Sequence, residues 1–252
     1  MRPAFVIGNG ESRNIFPIEK LKSEGVIYGC NAIYRDHPML CDHIVAVNPP
    51  MYEELSKWHN NGKESPSIHG LNDISKWDYI CEGDSEHDVP EGLKIYRVWR
   101  GGNIKKGGKI KTHDFSKARG SGCSAVLMAA ESGIKNIVIM AFDIMGARQW
   151  EYTNDRPGEL SRLQNNIYKD SINYPGRESM KAYLKYEWMY HLRQTFKKFP
   201  GTNFYFINRK EYLESNPFLR WYFDQPNIKC GIYADLQRWI TGSRDDIKWK
   251  QL

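Results

Sequence analysis

Three short apolar runs, each breaking into a turn that carries an asparagine, constrain this chain more than any other feature. Ala4-Phe5-Val6-Ile7 runs straight into Gly8-Asn9-Gly10; Val26-Ile27-Tyr28 leads to Cys30-Asn31-Ala32; His43 to Val47 ends at Asn48-Pro49-Pro50. Apolar runs of this length bounded by turn residues read as buried strands. Further on, Gly120-Ser121-Gly122 opens a helix over 123–132 that Gly133 caps, and residues 137–141 form a strand ending at Phe142-Asp143. Met180, Leu184, Trp188, Leu192 and Phe196 fall four apart, an amphipathic helix that stops before Pro200-Gly201, and 204–207 is a last strand.

The middle of the chain is less regular. Residues 78–81 and 93–98 read as strands around an acidic turn over 82–88, and 101–119 as a Gly- and Lys-rich loop. Strand–helix alternation predicts an α/β fold, a mainly parallel sheet with helices on both faces. We take 1–252 as one domain. Residues 144–180 lack periodicity and hold Gly146, Pro157, Gly158, Pro175 and Gly176, which suits a lid segment. Residues 210–252 form a mixed basic and aromatic tail.

Composition excludes several classes. Of 252 residues, 40% are hydrophobic and 26% charged, as in a globular domain. The longest apolar runs fall far short of a bilayer span, and Met1-Arg2-Pro3 leads into a strand with no signal-peptide core, so a cytoplasmic protein is expected. The five cysteines are scattered without a CxxC pair, which argues against a disulfide framework or structural zinc. A net charge of +6 favours anionic partners.

In open α/β sheets, ligands bind outside the carboxyl ends of the strands. Asn9, Asn31, Asn48, Ser121 and Asp143 are all expected on that edge. Gly8 and Gly10 would let backbone amides approach a phosphate, and Gly120 and Gly122 would do so where a helix start favours an anion. Asparagine side chains both donate to and accept from a ribose or a base edge. A dinucleotide fingerprint is missing, because Glu11-Ser12-Arg13 follows Gly10 without the third glycine, and no GxxxxGK[ST] occurs. No clustered metal ligands stand out, so a metal-independent chemistry is expected.

These motifs, taken in series, resemble a known family. Val6-Ile7-Gly8-Asn9-Gly10-Glu11-Ser12 is similar to the GNGPS-type opening of the small bacterial sialyltransferases that decorate lipooligosaccharide. Cys30-Asn31, Asn48-Pro49, Arg119-Gly120-Ser121-Gly122 and the strand ending at Asp143 resemble that family's later motifs, in order, over roughly residues 4–210. The resemblance implies a Rossmann-like glycosyltransferase domain with a lid, binding a cytidine-monophosphate-activated sugar without a metal or other cofactor. Gly8, Asn9, Gly10, Asn31, Asn48, Arg119, Ser121, Gly122 and Asp143 would line the nucleotide and donor site, with Tyr152 on the phosphate.

The chain also departs from that pattern. Where the family carries its general-base histidine, this sequence reads Gly176-Arg177-Glu178-Ser179, and arginine does not take a proton at neutral pH. Glu178, or His113 beside Asp114, is then the candidate base, and Arg177 is a permanent cation suited to a phosphate or carboxylate.

The leading expectation is an inverting glycosyltransferase that passes a sugar from a nucleotide donor to an acceptor hydroxyl. Two alternatives stand beside it. One is a nucleotide-binding module without catalysis. The other is a phage enzyme, acting in the host cytoplasm, whose acceptor is DNA rather than a glycan; the basic residues Lys105, Lys106, Lys109, Lys111, Lys117 and Arg119 would then meet phosphates.

Overall fold

A computed structural model describes residues 2–46, 49–60, 67–69, 86–88, 104–105, 109–111, 120–143, 166–168, 171–173, 182–215, 219–243, 247 and 249–251. Its centre is a seven-stranded sheet made of β1 (Ala4–Ile7), β2 (Val26–Cys30), β3 (His43–Val45), β4 (Ser67–His69), β8 (Asn136–Met140), β9 (Asn203–Asn208) and β10 (Ile228–Ile232), in the order β10-β9-β8-β1-β2-β3-β4. Every pairing in it is parallel. Among the described residues the α-helices are α1 (Pro49–Asn60), α2 (Ser121–Glu131), α3 (Ala182–Lys198), α4 (Lys210–Ser215), α5 (Leu219–Tyr222) and α6 (Tyr233–Ile240). The architecture is a Rossmann-like α/β fold.

The apolar runs are continuous because both faces of the sheet are covered. Side chains alternate between the faces: Ala4 and Val6 of β1 join the cluster built with α2 and α3, whereas Phe5 and Ile7 join the cluster with the 3-10 helix Asn31–Arg35, α1 and α6. All four β1 side chains are buried. On the first face Gly120 and Gly122 let α2 sit close: an added Cβ would lie 2.7 Å from the Trp188 ring and 2.8 Å from Phe142, respectively.

Several elements differ from the sequence expectation. Pro49 and Pro50 start α1 instead of breaking the chain, since proline lacks only an amide that a helix's first turn leaves unbonded. The acidic turn and the Gly/Lys-rich loop contain β5 (Glu86–Asp88), β6 (Ile104–Lys105) and β7 (Lys109–Lys111), which form a three-stranded antiparallel sheet. The tail supplies β10 and α6, and residues near its end add a further antiparallel bridge, Cys230 to Lys250. The strands expected over 78–81 and 93–98 lie outside the described residues.

Candidate functional site

The strand order sets where a site can form. The chain runs outward from β1 through β2, β3 and β4, then returns to the other side of β1 as β8, β9 and β10. The order therefore reverses between β1 and β8, and the crevice at such a switch point is where open α/β sheets hold ligands. The turn after β1 and the turn after β8 meet there.

That meeting is tight. The Gly8 amide donates to Met140 O at 2.9 Å and the Gly10 amide to Ala141 O at 2.9 Å. These two amides, expected from the sequence to face a phosphate, instead tie the two turns together. A Cβ on Gly8 would stand 2.3 Å from Ala141 O, and one on Gly10 2.5 Å from Asp143 Cγ. The glycines are there because the neighbouring turn occupies the space a side chain would need.

Asp143 is the centre of the junction. Its carboxylate accepts from the Ser12 amide at 2.9 Å, from Ser12 Oγ at 2.5 Å and from Asn208 Nδ2 at 3.1 Å. The Tyr233 hydroxyl accepts from the Ala141 amide at 3.2 Å and lies 2.9 Å from Ser12 Oγ, which closes a buried chain of hydrogen bonds. Burial pushes the Tyr233 phenol well above its ordinary range, so it stays protonated in this network. Asp143, read from the sequence as a ligand contact, ties the turn after β1 to the end of β9, and through Ser12 to Tyr233 at the start of α6.

On the β2 side of the junction two of the three asparagines expected on this edge, Asn9 and Asn31, take neighbouring places. Asn9 Nδ2 donates to Cys30 O at 2.9 Å, and the next residue, Asn31, accepts from Ser121 Oγ at 2.8 Å. Residues from the ends of β1 and β2 and from the first turn of α2 therefore form one cluster. Asn31 has a φ of 50°, a left-handed conformation that asparagine tolerates better than most residues. We expect Asn31→Ala to be less stable than Asn31→Gly by about 1–2 kcal/mol, measured by urea unfolding. Both variants lose the acceptor for Ser121, so their difference isolates the backbone. Equal midpoints would show that the φ value carries no strain.

The amides of a helix's first turn have no acceptor inside the helix, and together with the dipole they attract negative charge. Cys30 is no nucleophile here, because burial, with lesser contributions from Cys41 and Cys123, pushes its thiol far above the ordinary value. Among the described residues no group of three or more His, Cys, Asp or Glu stands close enough to hold a metal ion. Nor is any described helix long and apolar enough to cross a membrane.

Asn48, His113, Arg119, Tyr152, Arg177 and Glu178 lie outside the described residues. From the expected lid, 166–168 and 171–173 are described, and both pack at this edge. Asn166 bridges Gly10, and the Ile167 amide donates to Asn9 O at 2.9 Å. Arg35 donates to Ser171 Oγ at 2.8 Å and to Ile172 O at 2.7 Å while forking onto Glu54 of α1. Burial pushes the Glu54 carboxyl up, but hydrogen bonds from Tyr34, Asn173 and Arg35 outweigh it and hold it below the usual carboxylate range. Sequence reasoning did not single out Ser12, Arg13, Tyr168, Asn208 or Tyr233. Ser12 entered as the last residue of the family-like opening and Arg13 only as a departure from a glycine fingerprint, and the others had no local signal.

Fold and site together define a doubly wound parallel α/β protein with a polar cluster beside its switch point. Neither a protein-family model nor a curated protein matches the chain significantly. Among solved structures, it is similar to an alcohol dehydrogenase from the archaeon Thermococcus sibiricus, complexed with 5-hydroxy-NADP, at 9% identity and a TM-score of 0.30. That match covers 82% of this chain and 75% of the dehydrogenase, and a likeness so remote says nothing of ligand or chemistry.

Proposed function

We propose that the chain binds a nucleotide-activated sugar, in the first instance a cytidine-activated one, and transfers the sugar to an acceptor hydroxyl. The observation that carries this reading is the convergence of Asn9, Asn31 and Ser121 at the carboxyl ends of β1 and β2, beside the N-terminus of α2. Amide and hydroxyl groups of this kind bind a ribose or base, and the helix start receives the phosphate. The acceptor oxygen would attack the anomeric carbon as the phosphate oxygen leaves with inversion. Preorganised amides stabilise the charge developing on that phosphate. Glu178 or His113 would take the acceptor's proton, and Arg177 and Tyr152 would steady the leaving group. The acceptor is a glycan, or DNA if the Lys-rich residues 105–119 meet phosphates.

A second reading, a nucleotide-binding module without transfer, is favoured by one feature: Arg177 and Glu178 stand where the resembled family carries its histidine base. A thermal-shift screen with CMP, UMP, GMP and their sugars tests the shared claim. At a concentration 100 times its dissociation constant, a ligand stabilises the folded state by about 2.7 kcal/mol. For a chain of this length that raises the melting temperature by about 5–10 °C. No shift with any of them removes both readings. Slow hydrolysis of one donor then favours transfer, and tight binding without turnover favours the module.

A further inference from the structure

We propose that Arg13 is a positioning residue for the nucleotide site, holding the Asn9 side chain and the docked residues 166–168 in a single buried network. The proposal rests on the nucleotide reading above for its function, but its geometry stands apart from it. The Arg13 side chain is only 3% exposed, yet it carries a permanent charge. A cation so stripped of water must keep its acceptors. Arg13 Nη1 donates to Asn9 Oδ1 at 3.4 Å, and Nη2 donates to Asp36 Oδ2 at 3.2 Å and to the Tyr168 hydroxyl at 3.0 Å. The Tyr168 hydroxyl donates a hydrogen bond to Asp36 Oδ2 at 2.7 Å, and the Arg13 guanidinium lies 5.5 Å from the Tyr168 ring centroid.

Asn9 is thus fixed from two directions. Its backbone carbonyl receives the Ile167 amide, and its side-chain oxygen receives Arg13. With Oδ1 turned to the cation, Nδ2 must turn to Cys30 O, the carbonyl immediately before Asn31. A guanidinium has no acceptor, so it dictates which end of the amide faces it. Remove Arg13 and the Asn9 amide keeps the Cys30 carbonyl but loses this donor to Oδ1, so the side chain can swing out of its bound position. Because Tyr168 completes the Arg13 shell, docking of 166–168 and orientation of Asn9 are one event. A lysine keeps the charge but lacks the planar fork that reaches all three acceptors.

The test uses the whole chain, with Arg13→Lys and the milder Tyr168→Phe, which removes one hydroxyl and keeps the ring. Amide hydrogen exchange at 166–168 in the ligand-free protein should rise about tenfold in each, the effect of losing one hydrogen bond to a charged group, while exchange in β8 stays unchanged. The Asn9 side-chain NH2 resonances should shift in the same samples. The dissociation constant for CMP should rise by a similar factor, and CMP should slow exchange at 166–168 in the wild type, as reciprocal coupling requires.

Unchanged exchange and unchanged Asn9 resonances in both variants overturn the proposal. Faster exchange with an unchanged CMP affinity also overturns it, leaving Arg13 a structural cation. Faster exchange and shifted Asn9 resonances in a protein that no nucleotide stabilises support the network and overturn the nucleotide reading alone.

Discussion

Replacing Asp143 by alanine is expected to lower folding stability by about 3–5 kcal/mol, read as a fall in the urea midpoint with an unchanged m-value. The buried carboxylate receives the Ser12 amide, the Ser12 hydroxyl and Asn208 Nδ2. Alanine leaves all three donors in a space from which water is excluded, and an unsatisfied buried donor costs more than the bond itself contributed. The damage also spreads through Ser12 Oγ, the neighbour of the Tyr233 hydroxyl, which in turn holds the Ala141 amide. Asp143→Asn keeps the shape and one oxygen, so it should recover part of the loss. If Asp143→Ala costs under about 1 kcal/mol, water replaces the carboxylate and the junction is not sealed.

The second large effect is steric. Gly8→Ala places a methyl 2.3 Å from Ala141 O and 2.9 Å from Phe142 Cδ2, and both are held in place. The carbonyl belongs to a residue already in a left-handed conformation, with φ 56°, and cannot turn away without breaking the Gly10 amide bond it receives. Strand β1 must therefore separate from β8 at the switch point, at a cost of about 3 kcal/mol. A control alanine at Gly201, where nothing lies within 4 Å, should change the midpoint little. The comparison is made by urea unfolding of the two variants side by side. Similar midpoints for both would sink the claim that close approach of the two turns is what requires glycine. Gly8→Ala should also weaken any nucleotide binding, because Asn9 follows directly.

Much of the fold is legible in the sequence. Strand β1 occupies the predicted run, β8 starts one residue early, and α2 and α3 fall within two residues of their predicted limits. Those elements carry strong local signals: uninterrupted apolar runs, a helix opened by Gly120 and ended near Gly133, and apolar residues four apart. Two strands of the sheet, β4 at Ser67–His69 and β10, were not legible. Ile228–Ile232 reads Ile-Lys-Cys-Gly-Ile, and its glycine is explained only by Trp249, whose ring lies 2.6 Å from where a Cβ would stand. Helix α1 was hidden behind Pro49 and Pro50, which read as a break although proline is tolerated at a helix start.

The site divides in the same way. That Asn9, Asn31 and Ser121 would meet followed from strand–turn punctuation together with the rule that such sheets bind at their carboxyl ends. What each polar group does there did not follow. Ser12 reaches Asp143 across 131 residues and Tyr233 across 221, and no local pattern encodes partners so far apart.

The amino-acid order by itself determined the local units, because strand, turn and helix preferences act over a few neighbouring residues. Tertiary structure decided the order of strands, and through it which turns touch. That order made Gly8, Gly10 and Asp143 into a sealed junction and left the cluster beside β2 as the candidate site. The physical reason is that a buried donor or acceptor takes whichever partner the sheet brings within about 3 Å, and strand order, not sequence proximity, sets that choice.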